Sequence, residues 1–99
     1  MNLLKKYQYD IQELCIKYNV NQLYAFGSVL TDKFKESSDI DLIVNFDKIK
    51  IDDYANNYYN LKFSLEDIFK RPVDLLEEKA LKNPYFKRSI EKQRQLIYG

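Results

Sequence analysis

The sequence predicts an α/β (α+β) fold, a small mixed β-sheet packed by helices, and three patterns carry that prediction. Apolar residues recur at spacings of three and four in two stretches, the mark of helices with one buried face. Between those stretches, Ile40, Leu42, Val44 and Phe46 alternate with Asp39, Asp41, Ile43 and Asn45, a period of two that belongs to a strand. Two short apolar runs, Leu23-Tyr24-Ala25-Phe26 and Val73-Asp74-Leu75-Leu76, read as further strands. Helices and strands thus interleave along one chain, and such chains bury their sheet under helices.

Each element has its own grounds. Leu4, Tyr7, Ile11, Leu14 and Tyr18 form one face of an N-terminal helix, which Asn19 and Asn21 break. The first strand ends at Gly27-Ser28, and residues 29–38 are mostly polar and mixed. After the second strand, Asp52 and Asp53 are suited to cap a helix whose apolar face is Tyr54, Tyr58, Leu61, Leu65 and Ile68. Arg71-Pro72 ends it, because the residue before proline leaves the helical region. A third strand follows at 73–76. A last helix starts at Asn83-Pro84, with Asn as cap and Pro in the first turn, and is expected to bury Phe86, Ile90 and Ile97. The expected order is α-β-loop-β-α-β-α.

A length of 99 residues fits a single domain over 1–99 with one modest core. Only two glycines and two prolines leave little room for long loops, while nine tyrosines and six phenylalanines make the core aromatic. Sixteen basic and fifteen acidic residues give a net charge of +1, without the basic excess of a nucleic-acid binder. Cys15 is the one cysteine, so no internal disulfide forms, and the absence of histidine removes imidazole acid–base chemistry and imidazole metal ligands. Catalysis here must run on carboxylates, hydroxyls, lysines and backbone dipoles. No apolar run approaches the roughly 20 residues of a membrane helix, and the N-terminal residues lack a signal-peptide pattern. The expected location is cytoplasmic.

Ser38-Asp39-Ile40-Asp41 is the sharpest feature. On a strand, Asp39 and Asp41 project from the same face, about 6.6 Å apart along the chain, while Ile40 enters the core. Two carboxylates on one face resist ionising together, and a divalent cation removes that penalty. Magnesium is commonly held by one or two carboxylates plus substrate phosphates. A half-exposed strand with an acidic outer face has the same pattern, and that reading stays open for the pair alone. Gly27-Ser28 after a buried strand allows a tight turn and close approach of a ligand to the backbone. A short helix at Val29-Leu30-Thr31 would offer free N–H groups to phosphate; a plain turn is the alternative. Asp74 sits in an apolar run, where an acid is costly to bury unless paired or liganded; an edge-strand acid facing water is the alternative.

Gly-Ser, a spacer, Asp-x-Asp and a later Asp within a strand together resemble the nucleotidyltransferase superfamily of the DNA polymerase beta type. The match is best to its minimal branch, the MNT-type proteins that act as antitoxins of HEPN-domain toxins. The resemblance runs from Asn21 through Leu76, and the last helix, from Asn83 to Tyr98, is similar to that branch too. It implies a palm-like nucleotidyltransferase fold. It implies that Gly27 and Ser28 grip the triphosphate and that Asp39 and Asp41 ligate two magnesium ions. Asp74 would be the third acid, which ligates the catalytic metal and helps deprotonate the attacking hydroxyl.

The resemblance further implies transfer of AMP from ATP to a hydroxyl on a HEPN partner toxin. The alternative is an inactive binding module that neutralises the toxin by contact. A chain this short has no room for a template-holding domain, so no templating nucleic acid is expected, whereas an oligomer is compatible with it. Many members carry a small residue, Arg and Gly after the Ser; here Val29-Leu30-Thr31-Asp32 stands instead, without the phosphate-side arginine.

Overall fold

A computed structural model describes residues 2–35 and 37–99, with the side chains of Asn2 and Ile51 outside that description. Helices α1 (Asn2–Lys6) and α2 (Gln8–Lys17) lead into strand β1 (Val20–Phe26) and a 3-10 turn (Gly27–Leu30). Strand β2 (Ile40–Phe46), the long helix α3 (Ile51–Phe69) and strand β3 (Val73–Glu77) follow. A second 3-10 turn (Glu78–Ala80), helix α4 (Pro84–Gln93) and strand β4 (Gln95–Tyr98) complete the order. The four strands form one sheet in the order β3-β2-β1-β4, parallel between β2 and β3 and antiparallel elsewhere. The expected mixed sheet under helices is what is found.

Alternation along the strands sorts the two faces. Leu23 and Ala25 of β1, Ile40, Leu42 and Val44 of β2, and Val73 and Leu75 of β3 join one buried cluster. Ile11 and Cys15 of α2 and Leu61, Leu65 and Phe69 of α3 close over it. The four-residue spacing of Leu61, Leu65 and Phe69 keeps one stripe of α3 on the sheet. Cys15 has no exposed surface, and burial pushes its thiol up to about 12, which leaves it an inert core residue. The core expected to be aromatic is mainly aliphatic: among its described buried residues only Phe46 and Phe69 are aromatic, with Tyr54 edge-on against Phe46 and Tyr7 against Phe69.

The outer edge of β3 is tied to α3 by side chains. The Tyr58 hydroxyl donates to the Leu75 carbonyl, and the Val73 N–H donates to Glu66 Oε2 at 2.9 Å. Tyr54 donates to the Glu77 carboxylate at the end of the same strand.

Several expectations need correction. The N-terminal helix is two helices, interrupted at Tyr7. Lys50, not an aspartate, occupies the N-cap of α3, and Asp52 and Asp53 lie in its first turn. The last helix does not reach Ile97: α4 stops at Gln93, and Gln95–Tyr98 is a strand paired antiparallel with β1. Of the three residues expected to be buried by that helix, Ile90 is buried, Phe86 is exposed, and Ile97 belongs to β4. Tertiary pairing with the free edge of β1 wins over local periodicity here. Among the described residues no helix is long and apolar enough to cross a membrane.

Candidate active site

The site grows from the sheet face opposite the main core. Ile40, Leu42 and Val44 point into that core, so the residues between them point away from it. Asp41 is one of those, and Asp39, just before the strand, continues the same alternation. Across the parallel ladder Asp41 and Asp74 are direct Cα partners, which puts their side chains on one face of adjacent strands. The parallel register therefore brings an acid from residue 74 beside the pair at 39 and 41.

Electrostatics couples the three. Asp41 is half-buried, and its carboxyl is raised above the usual value by that burial first, then by the negative charges of Asp74 and Asp39. Asp39 and Asp74 are exposed and free to turn. Among the described residues no three acid or thiol side chains are gathered as they stand into a cage for a metal ion. The donor set nevertheless fits one: oxygen ligands only, on one face, with burial and the charges of Asp74 and Asp39 disfavouring that of Asp41 until a cation arrives.

Gly27 is built against this cluster. Phe26 pairs with Asp41 across the antiparallel ladder, and the chain turns at the next residue with φ +76°. A Cβ on Gly27 would lie 2.6 Å from Asp41 Oδ2, closer than real Cβ contacts come. Glycine is needed twice, for the left-handed backbone and for the space. The expected short helix is present as the 3-10 turn Gly27–Leu30, anchored by buried Val29. The Ser28 carbonyl accepts from both the backbone N–H and the hydroxyl of Thr31, each at 2.9 Å, so the turn closes on itself beside the acids.

One residue of the site reads in the sequence only as a helix stop. Arg71 sends Nη1 to the carbonyls of Lys35 and Ser38 at 3.0 and 3.3 Å, and its guanidinium lies 4.6 Å from the centre of the Phe34 ring. It thereby ties the segment before Asp39 to the start of β3, where the Ile40 N–H also donates to the Pro72 carbonyl at 3.2 Å. Nothing local in the sequence signals this, because the two segments are adjacent only in the fold. Arg71→Ala is expected to free the loop: loss of these charge-assisted bonds is worth about 1.4 kcal/mol. Trypsin cleavage after Lys33 and Lys35 would then accelerate about tenfold. An unchanged cleavage rate would show that the loop does not depend on Arg71.

Further along the same face the sheet is covered. Ile43 is fully buried although it is outside the main cluster, and the second 3-10 turn packs on β2. Arg94, at the end of α4, lies 4.0 Å above the Tyr24 ring and pairs with Glu78 at 3.3 Å. The carboxylates thus lie at the open end of a face whose other end is roofed.

Comparison with known proteins agrees with this geometry. The family model described as polymerase beta, nucleotidyltransferase matches residues 9–99. MJ0128 of Methanocaldococcus jannaschii, to which protein adenylyltransferase activity is ascribed, is 37% identical over 97 residues, covering 98% of this chain and 91% of that protein. A solved structure ascribed to a minimal nucleotidyltransferase superposes with a TM-score of 0.77 at 25% identity, over 93% of this chain and 90% of that one. Two toxin–antitoxin structures share the fold. One, solved with AMP-PNP, gives a TM-score of 0.72 at 20% identity over 93% of this chain and 73% of that one. The other holds a tri-AMPylated Shewanella oneidensis HEPN toxin in complex with MNT antitoxin and gives 0.67 at 19% identity, over 97% and 72%.

Proposed function

The chain belongs to the polymerase beta nucleotidyltransferase family, and from that premise we propose that it transfers AMP from ATP to a hydroxyl of a HEPN-type partner protein. The observation that carries the reading is the Asp41–Asp74 register, which sets acids from two strands on one face with Asp39 beside them. The adenylyltransferase activity ascribed to MJ0128 supports the transferred group, and the HEPN toxin bound by a protein of the same fold supports the partner.

The proposed reaction forms a bond from the acceptor oxygen to the α-phosphorus and breaks the bond from that phosphorus to the bridging oxygen, so pyrophosphate leaves. Asp39, Asp41 and Asp74 would hold two magnesium ions, which supply Lewis acidity against the charge of the phosphates. The protein's own groups do the rest. Gly27, without a side chain, lets phosphate oxygens approach the backbone, and the Ser28 hydroxyl orients them. Asp74, exposed at its strand, takes the proton of the attacking hydroxyl. Positioning supplies most of the rate, because phosphoryl groups need orientation and charge stabilisation more than covalent help.

Contact-only neutralisation of the partner is favoured by one observation: the segment Val29-Leu30-Thr31-Asp32 has no arginine and ends in an acid. Both readings meet in one experiment. The chain is co-expressed with a HEPN protein, purified with it and given ATP labelled on its α-phosphate. The transfer reading expects label on the partner in magnesium and none in EDTA. A complex that forms and neutralises the partner without label would replace transfer by contact.

A further inference from the structure

Helix α4 is well made at its start and poorly covered along its length. The Asn83 side chain accepts from the N–H groups of Tyr85 and Phe86, and Pro84 occupies the first turn. Ile90, 4% exposed, is its one buried residue. One turn earlier on the same stripe Phe86 is 44% exposed, and neighbouring Tyr85 is 81% exposed. A ten-residue helix is marginal in water without packing, and this one leaves half of its apolar stripe to solvent.

The same segment is where the chain is basic. Lys79, Lys82, Lys87, Arg88, Lys92 and Arg94 face only Glu78 and Glu91, and Glu78 is already paired with Arg94. Since the whole chain carries +1, residues 1–77 are net negative. The helix ends on the same face as the acids: Arg94, its C-cap, lies over Tyr24, two residues along β1 from Phe26, the partner of Asp41. A molecule seated on α4 would therefore lie on the acid-bearing side of the sheet.

We propose that the exposed face of α4, with Tyr85, Phe86, Lys87 and Arg88 at its centre, is the docking surface for the protein acceptor, whose own surface presents an apolar groove rimmed by acids. The proposal rests on the reading of a protein acceptor and adds where that acceptor sits. Helix-in-groove recognition uses anchors at this spacing, large aromatic groups suit interface centres, and rim charges steer the encounter. A nucleic acid fits less well. Its phosphates would meet the net negative charge of residues 1–77, and it offers no apolar cover for the Phe86–Ile90 stripe.

The test uses the full chain and a HEPN-type partner protein. Binding is followed by fluorescence anisotropy at two salt concentrations, and the thermal shift given by magnesium plus ATP reports the state of the nucleotide site. Lys87→Glu/Arg88→Glu and, separately, Tyr85→Ser are expected to weaken binding about tenfold or more. Both keep the thermal shift, and wild-type binding weakens with salt. Unchanged affinity in both variants would overturn the proposal while leaving AMP transfer intact. So would wild-type failure to bind the HEPN protein, or binding instead to poly(U), to phosphatidylserine vesicles or to a second copy through these residues. Conversely, a complex that forms through α4 but transfers no AMP removes the transfer reading and leaves the docking surface standing.

Discussion

Asp41→Asn is expected to abolish AMP transfer and, at the same time, to raise the melting temperature of the metal-free protein. Removing a carboxylate from the proposed three-acid metal site would take away a ligand and misplace the rest, and the loss should reach about a thousandfold. The stability effect has the opposite sign. Burial and the charges of Asp74 and Asp39 raise the Asp41 carboxyl above its ordinary value of 3.8, so the charged form is disfavoured in the folded protein. Above its folded value Asp41 is ionised and the penalty is present. As pH falls through that value the group takes up a proton, and the penalty is relieved. For a half-exposed group the gain from asparagine is about 0.5 kcal/mol at neutral pH, or roughly 2–4 °C in a domain of this size. The difference between variant and wild type should therefore close as pH is lowered towards 3.8. Thermal melts in EDTA across that range check it, and a variant that melts below wild type at neutral pH would contradict the repulsion.

Gly27→Ala should lower both stability and transfer. The backbone there has φ +76°, which costs an alanine roughly 1–2 kcal/mol. Its methyl carbon would also lie 2.6 Å from Asp41 Oδ2 and force that carboxylate aside. A melting temperature lower by roughly 5–10 °C follows from the first effect. A loss of about a hundredfold in transfer follows from the second, since displacement of a reacting constellation by about 1 Å has that scale. Denaturation curves and the labelling assay measure the two separately. A stable variant with normal transfer would mean that the Gly27–Asp41 approach is not needed.

Much of this site is legible before any coordinates. The alternation from Asp39 to Phe46 places both acids on one side of a strand, and Gly27 ends a buried strand at a turn. The pairing of Asp41 with Asp74 is not legible, because a parallel register is set by the α3 crossover and not by neighbouring residues. Arg71 escapes for the same reason: its partners at 35 and 38 belong to another segment. Strand β4 escapes for a different one. Phe86, Ile90 and Ile97 fall at spacings that a continued helix would share, and Gln95-Leu96-Ile97-Tyr98 is too short to display an alternation of its own.

The ties between α3 and the outer edge of β3 decide how this sheet can grow. An uncovered edge strand is a template for another chain, and natural proteins protect such edges. Here the Leu75 carbonyl and the Val73 N–H, two of the outward groups of β3, are already engaged by Tyr58 and Glu66. Strand exchange or fibril-like stacking therefore finds that edge partly occupied beside Asp74. The opposite border, β4, offers only four residues for such addition. The protected border of the sheet is thus the one that carries Asp74, and the short border is the one farthest from it.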